Sequence, residues 1–301
     1  MAKPALSSRA LIVLVPYLWL AFFFLVPFLI VFKISLSYDV IAQPPYRPVL
    51  DLMQGWVGLR EFLSQLDFSN YALVLGDALF IESYLQSLMI AGISTAILLI
   101  IGYPIAYGMA RAPLAWRPIL VMLVILPFWT SFLIRVYAWI GILAREGWLN
   151  QGLIALGFIS APLEILSTNT AIYIGIVYSY LPFMVLPLYA ALEKMDEMLI
   201  EAASDLGAPP GRIFWQVTFP LSLPGVVAGS LLCFIPAVGE FVIPDLLGGS
   251  DTLMIGKTLW TEFAVNRSWT VSSAVAVLLL IVLVAPILFY QRHQARAFER
   301  A

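Results

Sequence analysis

The chain has 301 residues, of which 62% are hydrophobic and 11% charged, and a formal net charge of -2. This balance excludes a soluble globular domain and describes a polytopic membrane protein, while near-neutral charge gives no footing for nucleic acid. Cys233 and His293 are the only residues of their kinds, which excludes a disulfide framework within the chain and any Cys/His metal cluster; Cys233, inside an apolar run, reads as a small core residue.

Six apolar stretches are long enough to cross a bilayer, which takes roughly 20 residues of helix, so the fold class is all-α with six transmembrane helices. The first lies between Arg9 and Lys33. Its apolar part is too long for a signal peptide's h-region, it carries Pro16 and Pro27, and no small-residue cleavage site follows, so it reads as a retained helix. The second falls between Glu82 and Arg111, the third runs from Arg117 to about Leu143, and the fourth falls between Glu164 and Glu193. The fifth runs from about Gly225 to Leu247, and the sixth falls between Arg267 and Arg292. Six spans put both termini on one side. Cytoplasmic termini gather Lys3, Arg9, Arg111, Arg117, Lys194, Arg212, Arg292, Arg296 and Arg300 inside. Lys33, Arg47, Arg60, Arg145, Lys257 and Arg267 are then spread over more residues outside, the asymmetry that positive-inside orientation favours.

Outside, the segment from Lys33 to Glu82 holds a QPPYRP turn cluster and the acidic Asp39, Asp51, Glu61, Asp67, Asp77 and Glu82. A connection of that size reads as a piece that packs over the outer mouth or meets a partner there. Pro104, Pro127, Pro182, Pro187, Pro236, Pro244 and Pro286 lie inside spans, where each removes a backbone hydrogen bond; the expectation is kinks or local unwinding along a gated path. A general enrichment of proline in membrane helices accounts for part of this pattern. Gly225 and Gly229 form a GxxxG pair that reads as a helix-packing contact.

Between the fourth and fifth spans, the loop from Glu193 to Pro224 carries helix periodicity: Met195, Met198, Leu199, Ala202, Ala203 and Leu206 fall on one face. Gly207 stands where a left-handed cap ends such a helix, and Pro209 and Pro210 open a second short helix over about Gly211 to Val217. Pro220 and Pro224 are expected to break the chain before the fifth span. Glu201-Ala202-Ala203, Gly207 after three residues, and Val217-Thr218-Phe219-Pro220 after nine more resemble the EAA loop of ABC-importer permeases, with Val217 for Ile and Phe219 for Leu. The resemblance implies that Glu201, Ala202, Ala203 and Gly207 form a coupling helix docked in a groove of a cytoplasmic ATPase. An amphipathic connection lying on lipid headgroups is the plainer alternative.

No chemistry of its own is legible. Asp251 to Thr258 approaches a P-loop, but Asp251 stands where glycine must wrap phosphate, and no HExxH, GxSxG or Cys/His pair occurs. The reading is no catalytic residue, no metal and no cofactor. Among ionisable residues at membrane depth, Glu240 lies about 22 Å along the fifth span at 1.5 Å per residue. A carboxylate there costs about 2.5 to 3.5 kcal/mol facing lipid, so it faces either a translocation path or a salt bridge, to Arg135 or to a partner subunit. Pro236 and Pro244 are expected to loosen the helix on either side. Asp245, closer to the outer surface, wets there or guards the entrance, and Arg135 is expected to snorkel to the outer interface. Trp129, Tyr137, Trp139, Tyr173, Tyr178 and Tyr180 are candidates to hold an ammonium group by cation–π contact, as against interface-belt or packing roles, and of them Trp129, Tyr137, Tyr178 and Tyr180 are placed on the substrate path.

The stretches LPFWTSFLIRVYAWIGIL (Leu126 to Leu143), YIGIVYSYLPFMVLPLYAAL (Tyr173 to Leu192) and IPAVGEFVIPDLLGG (Ile235 to Gly249) resemble those of polyamine-importer permeases, most closely the putrescine type. That resemblance runs from about Phe28 to His293. It implies a type I ABC-importer permease of a bacterial inner membrane that moves substrate by alternating access. It also implies partners: a second, related permease in a heterodimer, a pair of ATP-binding subunits below and a periplasmic polyamine-binding protein above. The parts are a tail and first helix at 1–32, a periplasmic segment at 33–82, a transmembrane core at 83–291 with its coupling loop at 193–224, and a cytoplasmic tail at 292–301. A permease for spermidine or another small organic cation, a passive channel or scaffold, and a membrane-embedded enzyme are the alternatives.

Overall fold

The computed structural model describes residues 8–49 and 55–298, and the backbone alone for 8–11, 59, 61, 285, 286 and 289–298. Lys3, Asp51, Arg300 and the outer end of the 292–301 tail lie outside the described residues, as do the side chains of Arg9, Glu61, Pro286, Arg292, His293 and Arg296.

Helix α1 (Ser8–Leu20) passes through a π turn at Ala21–Leu25 into α2 (Val26–Ser35). A small antiparallel hairpin of β1 (Tyr38–Asp39) and β2 (Tyr46–Arg47) follows, pairing Tyr38 with Arg47 and Asp39 with Tyr46. Two short helices come next, α3 (Gly55–Ser64) and α4 (Ser69–Gly76), then the long α5 (Ala78–Arg111). The middle of the chain holds α6 (Arg117–Ile125), α7 (Phe132–Leu143), α8 (Trp148–Ala155) and α9 (Asn169–Glu193). After them come α10 (Met198–Asp205), α11 (Pro210–Ile213), α12 (Phe219–Val238), α13 (Val242–Leu247), α14 (Ile255–Trp260) and α15 (Trp269–Phe298).

Two compact units divide the chain: Met1–Ile81 with Leu259–Ala301, and Glu82–Thr258. In the first, α15 packs along α2 and α4, and polar side chains tie the segment after α2 to the start of α15. Asn70 donates to the carbonyls of Ser35 (2.9 Å) and Ser37 (2.6 Å) and accepts from Thr270 Oγ1 (3.3 Å). Asp39 accepts from Ser268 Oγ at 2.6 Å. The side of α1 and α2 is left bare, with Trp19, Phe22, Phe23 and Phe24 all more than half exposed, a surface suited to lipid or to a neighbouring chain.

The second unit is built on α12 lying against α9. The expected GxxxG contact is present: a Cβ on Gly225 would stand 2.8 Å from the Pro187 carbonyl and 2.6 Å from Ala191 Cβ, and one on Gly229 would stand 3.0 Å from the Met184 carbonyl. Only hydrogen at these positions lets the two backbones approach so closely. Leu98, Ala106, Met184, Leu188, Val226 and Cys233 complete one buried apolar cluster, with Cys233 fully buried as a small core residue. Tyr103 and Ser222 share a hydrogen bond of 2.9 Å inside it.

Among the described residues four helices are long and apolar enough to cross a membrane: Ile12–Ser35, Ala78–Arg111, Asn169–Glu193 and Pro210–Val238. The third apolar stretch is not the straight span expected from Arg117 to Leu143. Its two halves, Arg117–Trp129 and Phe132–Ala155, meet at 86°, because a 3-10 turn at Leu126–Trp129 and non-helical backbone at Thr130, which is extended, and Ser131 interrupt the helical hydrogen bonds. The sixth expected stretch falls in α15, a helix of 30 residues, whose apolar part among the residues with described side chains is Trp269–Val284. The fifth span also differs from expectation at both ends. Pro220 and Pro224 do not break it: α11 runs through a π turn at Phe214–Thr218 into α12, and both prolines lie inside that continuous helix, the π turn just before Pro220 adjusting the hydrogen-bond ladder. At the far end α12 stops at Val238, not Leu247. Pro104, Pro182, Pro187 and Pro236 lie inside helices that continue through them, so the unwound points are Thr130–Ser131 and Gly239–Phe241.

Candidate functional site

Where α12 ends and α13 begins, the first amides of the new helix need acceptors that no preceding turn supplies. Glu240 lies in that gap. Its Oε1 accepts from the backbone N–H of Phe241 (3.1 Å) and of Val242 (3.0 Å), and its Oε2 accepts from the Tyr180 hydroxyl on α9 (2.6 Å). A charged acceptor makes these strong bonds, and they hold a carboxylate that is only 8% exposed. Glu240 is therefore not in mid-helix between two loosening prolines, as the sequence suggests. It sits in the break and stabilises it, while Pro244 occupies the first turn of α13.

Glu240 and Tyr180 line a cavity of about 430 Å³ whose walls include Phe128, Phe132, Phe183 and Arg135. The break at Thr130–Ser131 turns α7 so that Arg135 faces this cavity; Phe128 is held against Phe183 edge-on at 5.1 Å. The Arg135 guanidinium lies 5.3 Å from the Phe128 ring centre and 5.9 Å from that of Phe132. At 8% exposure Arg135 does not snorkel as expected: the 86° bend invalidates a distance counted along a straight helix. Its Nε and Nη1 have no hydrogen-bond partner among the described residues, and neither does the buried Ser179 Oγ. Among the described residues no ion pair joins Glu240 to Arg135, so the salt-bridge alternative for Glu240 within this chain is not realised.

The other sequence candidates are not gathered at this point. Tyr178 stacks edge-on with Trp139 at 5.4 Å and lines a separate, apolar cavity with Pro127 and Leu181. Trp129 and Tyr137 are 75% and 58% exposed. Asp245 is exposed and lies 3.9 Å from Lys257 Nζ, in keeping with a wetted position. The P-loop-like stretch is occupied with packing: the Leu253 N–H donates to Gln86 Oε1 and the Ile255 N–H to Ser87 Oγ. Sequence reasoning missed Phe128, Phe132, Ser179 and Phe183. The available signal was Pro127 followed by Thr130-Ser131, a helix-interrupting stretch flanked by aromatics.

The loop at 193–224 has the two-helix form expected, though its first helix is shorter, Met198–Asp205, and its second begins at Pro210. Gly207 takes φ +76°. Ala208 N–H reaches the Ala203 carbonyl at 3.1 Å and Gly207 N–H the Ser204 carbonyl at 2.8 Å, the paired closure that a left-handed glycine makes possible. Met198, Leu199 and Leu206 are 68%, 47% and 89% exposed, so this part of the helix's apolar face is uncovered among the described residues. Ion pairs brace the loop's root: Arg111 with Glu197 at 3.1 Å and Arg117 with Glu193 at 3.6 Å.

Residues 104–300 match the family described as binding-protein-dependent transport system inner membrane component. The chain is 41% identical over 275 residues to the spermidine/putrescine transport system permease protein PotB of Haemophilus influenzae, covering 91% of this chain and 90% of that one. It is 44% identical over 223 residues to the protein of the same name from Escherichia coli K12, covering 74% and 81%. In fold it is similar to a chain of a bacterial ABC transporter that imports the polysaccharide alginate, with a TM-score of 0.68, 15% identity and 95% and 94% coverage. An apolar multi-helix chain, a kinked and capped cavity and an exposed amphipathic loop thus coincide with these likenesses: the chain belongs to the family of binding-protein-dependent transport system inner membrane components, the multi-pass permeases of ABC importers.

Proposed function

We propose that this chain is the permease of an ATP-driven polyamine importer, moving substrate from a periplasmic binding protein into the cytoplasm by alternating access. The observation that carries the reading is the 41% identity over nine-tenths of both chains to a relative named for spermidine and putrescine. That name joins two amines, so spermidine is supported as well as the putrescine suggested by the sequence stretches. The proposed frame is six spans with both termini cytoplasmic, an outer segment at 33–82 and a core at 83–291. A second, related permease completes the membrane pathway.

The loop at 193–224 is proposed as the contact with the cytoplasmic ATPases, through Glu201, Ala202, Ala203 and the turn at Gly207. The uncovered Met198, Leu199 and Leu206 beside that turn support it, since a face of this kind wants an apolar groove. Closure of the ATPases then displaces the loop and shifts the helices as rigid bodies. Glu240 and Tyr180 are proposed to face the substrate path. Trp129, Tyr137, Tyr178 and Asp245 are proposed to line it elsewhere, Trp129 and Tyr137 from exposed positions that suit a pathway shared with the second permease. The test is uptake of labelled putrescine and spermidine by the complete complex in proteoliposomes. ATP-dependent accumulation of either amine is expected, and accumulation of neither refutes the reading.

A further inference from the structure

The cavity beside Tyr180 arranges its charges unlike a buried ion pair. Both oxygens of Glu240 are already engaged, by the Tyr180 hydroxyl and two backbone amides. Arg135, 8% exposed, keeps Nε and Nη1 without a hydrogen-bond partner among the described residues. A buried guanidinium lacking acceptors is unfavourable, and what compensates it here is the faces of Phe128 and Phe132, at 5.3 and 5.9 Å.

An ammonium group entering this cavity would seek the same surroundings: ring faces and a carboxylate. It cannot satisfy Arg135 in return, because protonated amines offer only donors and the guanidinium also has only donors. Arg135 is thus placed as a competitor of a cationic substrate and not as its ligand. Resting on the polyamine reading above, we infer that Arg135 is a resident cation that occupies the ammonium position of this cavity and has to leave the Phe128 and Phe132 faces before a substrate amine settles near Glu240. The break at Thr130–Ser131 sets α7, which carries Arg135, at 86° to α6 with no helical hydrogen bonds continuing across it. In this arrangement Arg135 balances Glu240 when no amine is bound, and it makes amine binding conditional on the conformation of α7.

The experiment is equilibrium binding of labelled spermidine and putrescine to the complete complex in nanodiscs, with the periplasmic binding protein omitted, alongside ATP-driven uptake with it present. Arg135→Gln is expected to lower Kd by about tenfold, the scale of removing one like charge from a partly desolvated site, and to lower the KM of uptake in step. Arg135→Lys, which keeps the charge, is expected to stay close to the wild type. Should Arg135→Gln fail to assemble, Arg135→Met keeps the apolar stem and carries the same expectation. A Kd in Gln and Met variants equal to or weaker than that of the wild type overturns the inference, as does equal tightening in the Lys variant. Failure of the wild-type complex to take up either amine defeats the polyamine reading itself, whereas normal wild-type uptake with no tightening defeats this inference alone.

Discussion

Replacing Glu240 separates two jobs that its position combines. Glu240→Ala removes the acceptor of three hydrogen bonds at 2.6, 3.0 and 3.1 Å from a site that is 8% exposed. Bonds to a charged group contribute about 1.5 to 3 kcal/mol each, and amides left unpaired in a buried site add their own penalty. Relaxation of the break lets some of these groups find other partners, so a loss of about 4 kcal/mol is expected. Glu240→Gln keeps an oxygen for the Phe241 and Val242 amides and turns an NH₂ toward the Tyr180 oxygen, which can accept. Charge assistance is lost, about 1 kcal/mol, and the Tyr180 hydroxyl hydrogen gives up its acceptor. Thermal unfolding of the purified complex in nanodiscs should therefore rank wild type, then Gln, then Ala, with Ala far below the other two. Uptake then isolates the second job: the well-folded Gln variant is expected to import a polyamine poorly because the cavity has lost its negative charge. An Ala variant that melts with the wild type refutes the cap, and a Gln variant with normal expression and normal uptake refutes the path role.

Gly207→Val places a β-branched residue at φ +76°, a conformation that costs about 1 to 3 kcal/mol for such a side chain. No atom lies within 4 Å of its new Cβ, so the expected result is stalled uptake with the membrane core still folded, checked by uptake beside size-exclusion profiles. Gly225→Ala sets a Cβ 2.8 Å from the Pro187 carbonyl; α12 must move off α9 at about 1 to 3 kcal/mol, read as a lower melting temperature. Asn70→Ala deletes the donor to Ser35 and Ser37, and faster proteolysis of the 33–82 segment is expected, with an unchanged rate counting against its tethering role.

Much of the helical layout was legible because periodicity and turn chemistry act locally. The Gly207 cap and the two-helix form of the 193–224 loop followed from neighbours in sequence, and the Gly225/Gly229 contact from small residues at four-residue spacing. The breaks were not legible, because proline count does not locate them. Pro104, Pro182, Pro187 and Pro236 are absorbed within continuous helices, while unwinding occurs at Thr130–Ser131 and Gly239–Phe241. The second is held open by Glu240, whose three donors come partly from α9, sixty residues away in sequence. That bond is tertiary, and no local pattern announces it. The same is true of Arg135: its burial depends on an 86° bend, so a depth counted along a straight helix placed it at the wrong surface.

The segment Pro210–Val238 joins the two features on which the functional reading rests. It is one apolar helix of 29 residues, about 43 Å long at 1.5 Å per residue, with the Gly207 turn just before it and the Glu240 break just after it. Along its middle it lies too close to α9 to slide freely, since Gly225 and Gly229 meet the Pro187 and Met184 carbonyls with no side chain between them. A displacement at the loop is therefore delivered to α12 and α9 together, and Tyr180 on α9 reaches Glu240 across the end of α12. Neither helix can shift against the other without stretching that bond, and neither can move relative to α7 without changing the distance between Glu240 and Arg135. The cavity is thus placed where this paired rod meets a helix set at 86° to its predecessor, and under the proposed coupling a push at the loop would change what the charged site holds.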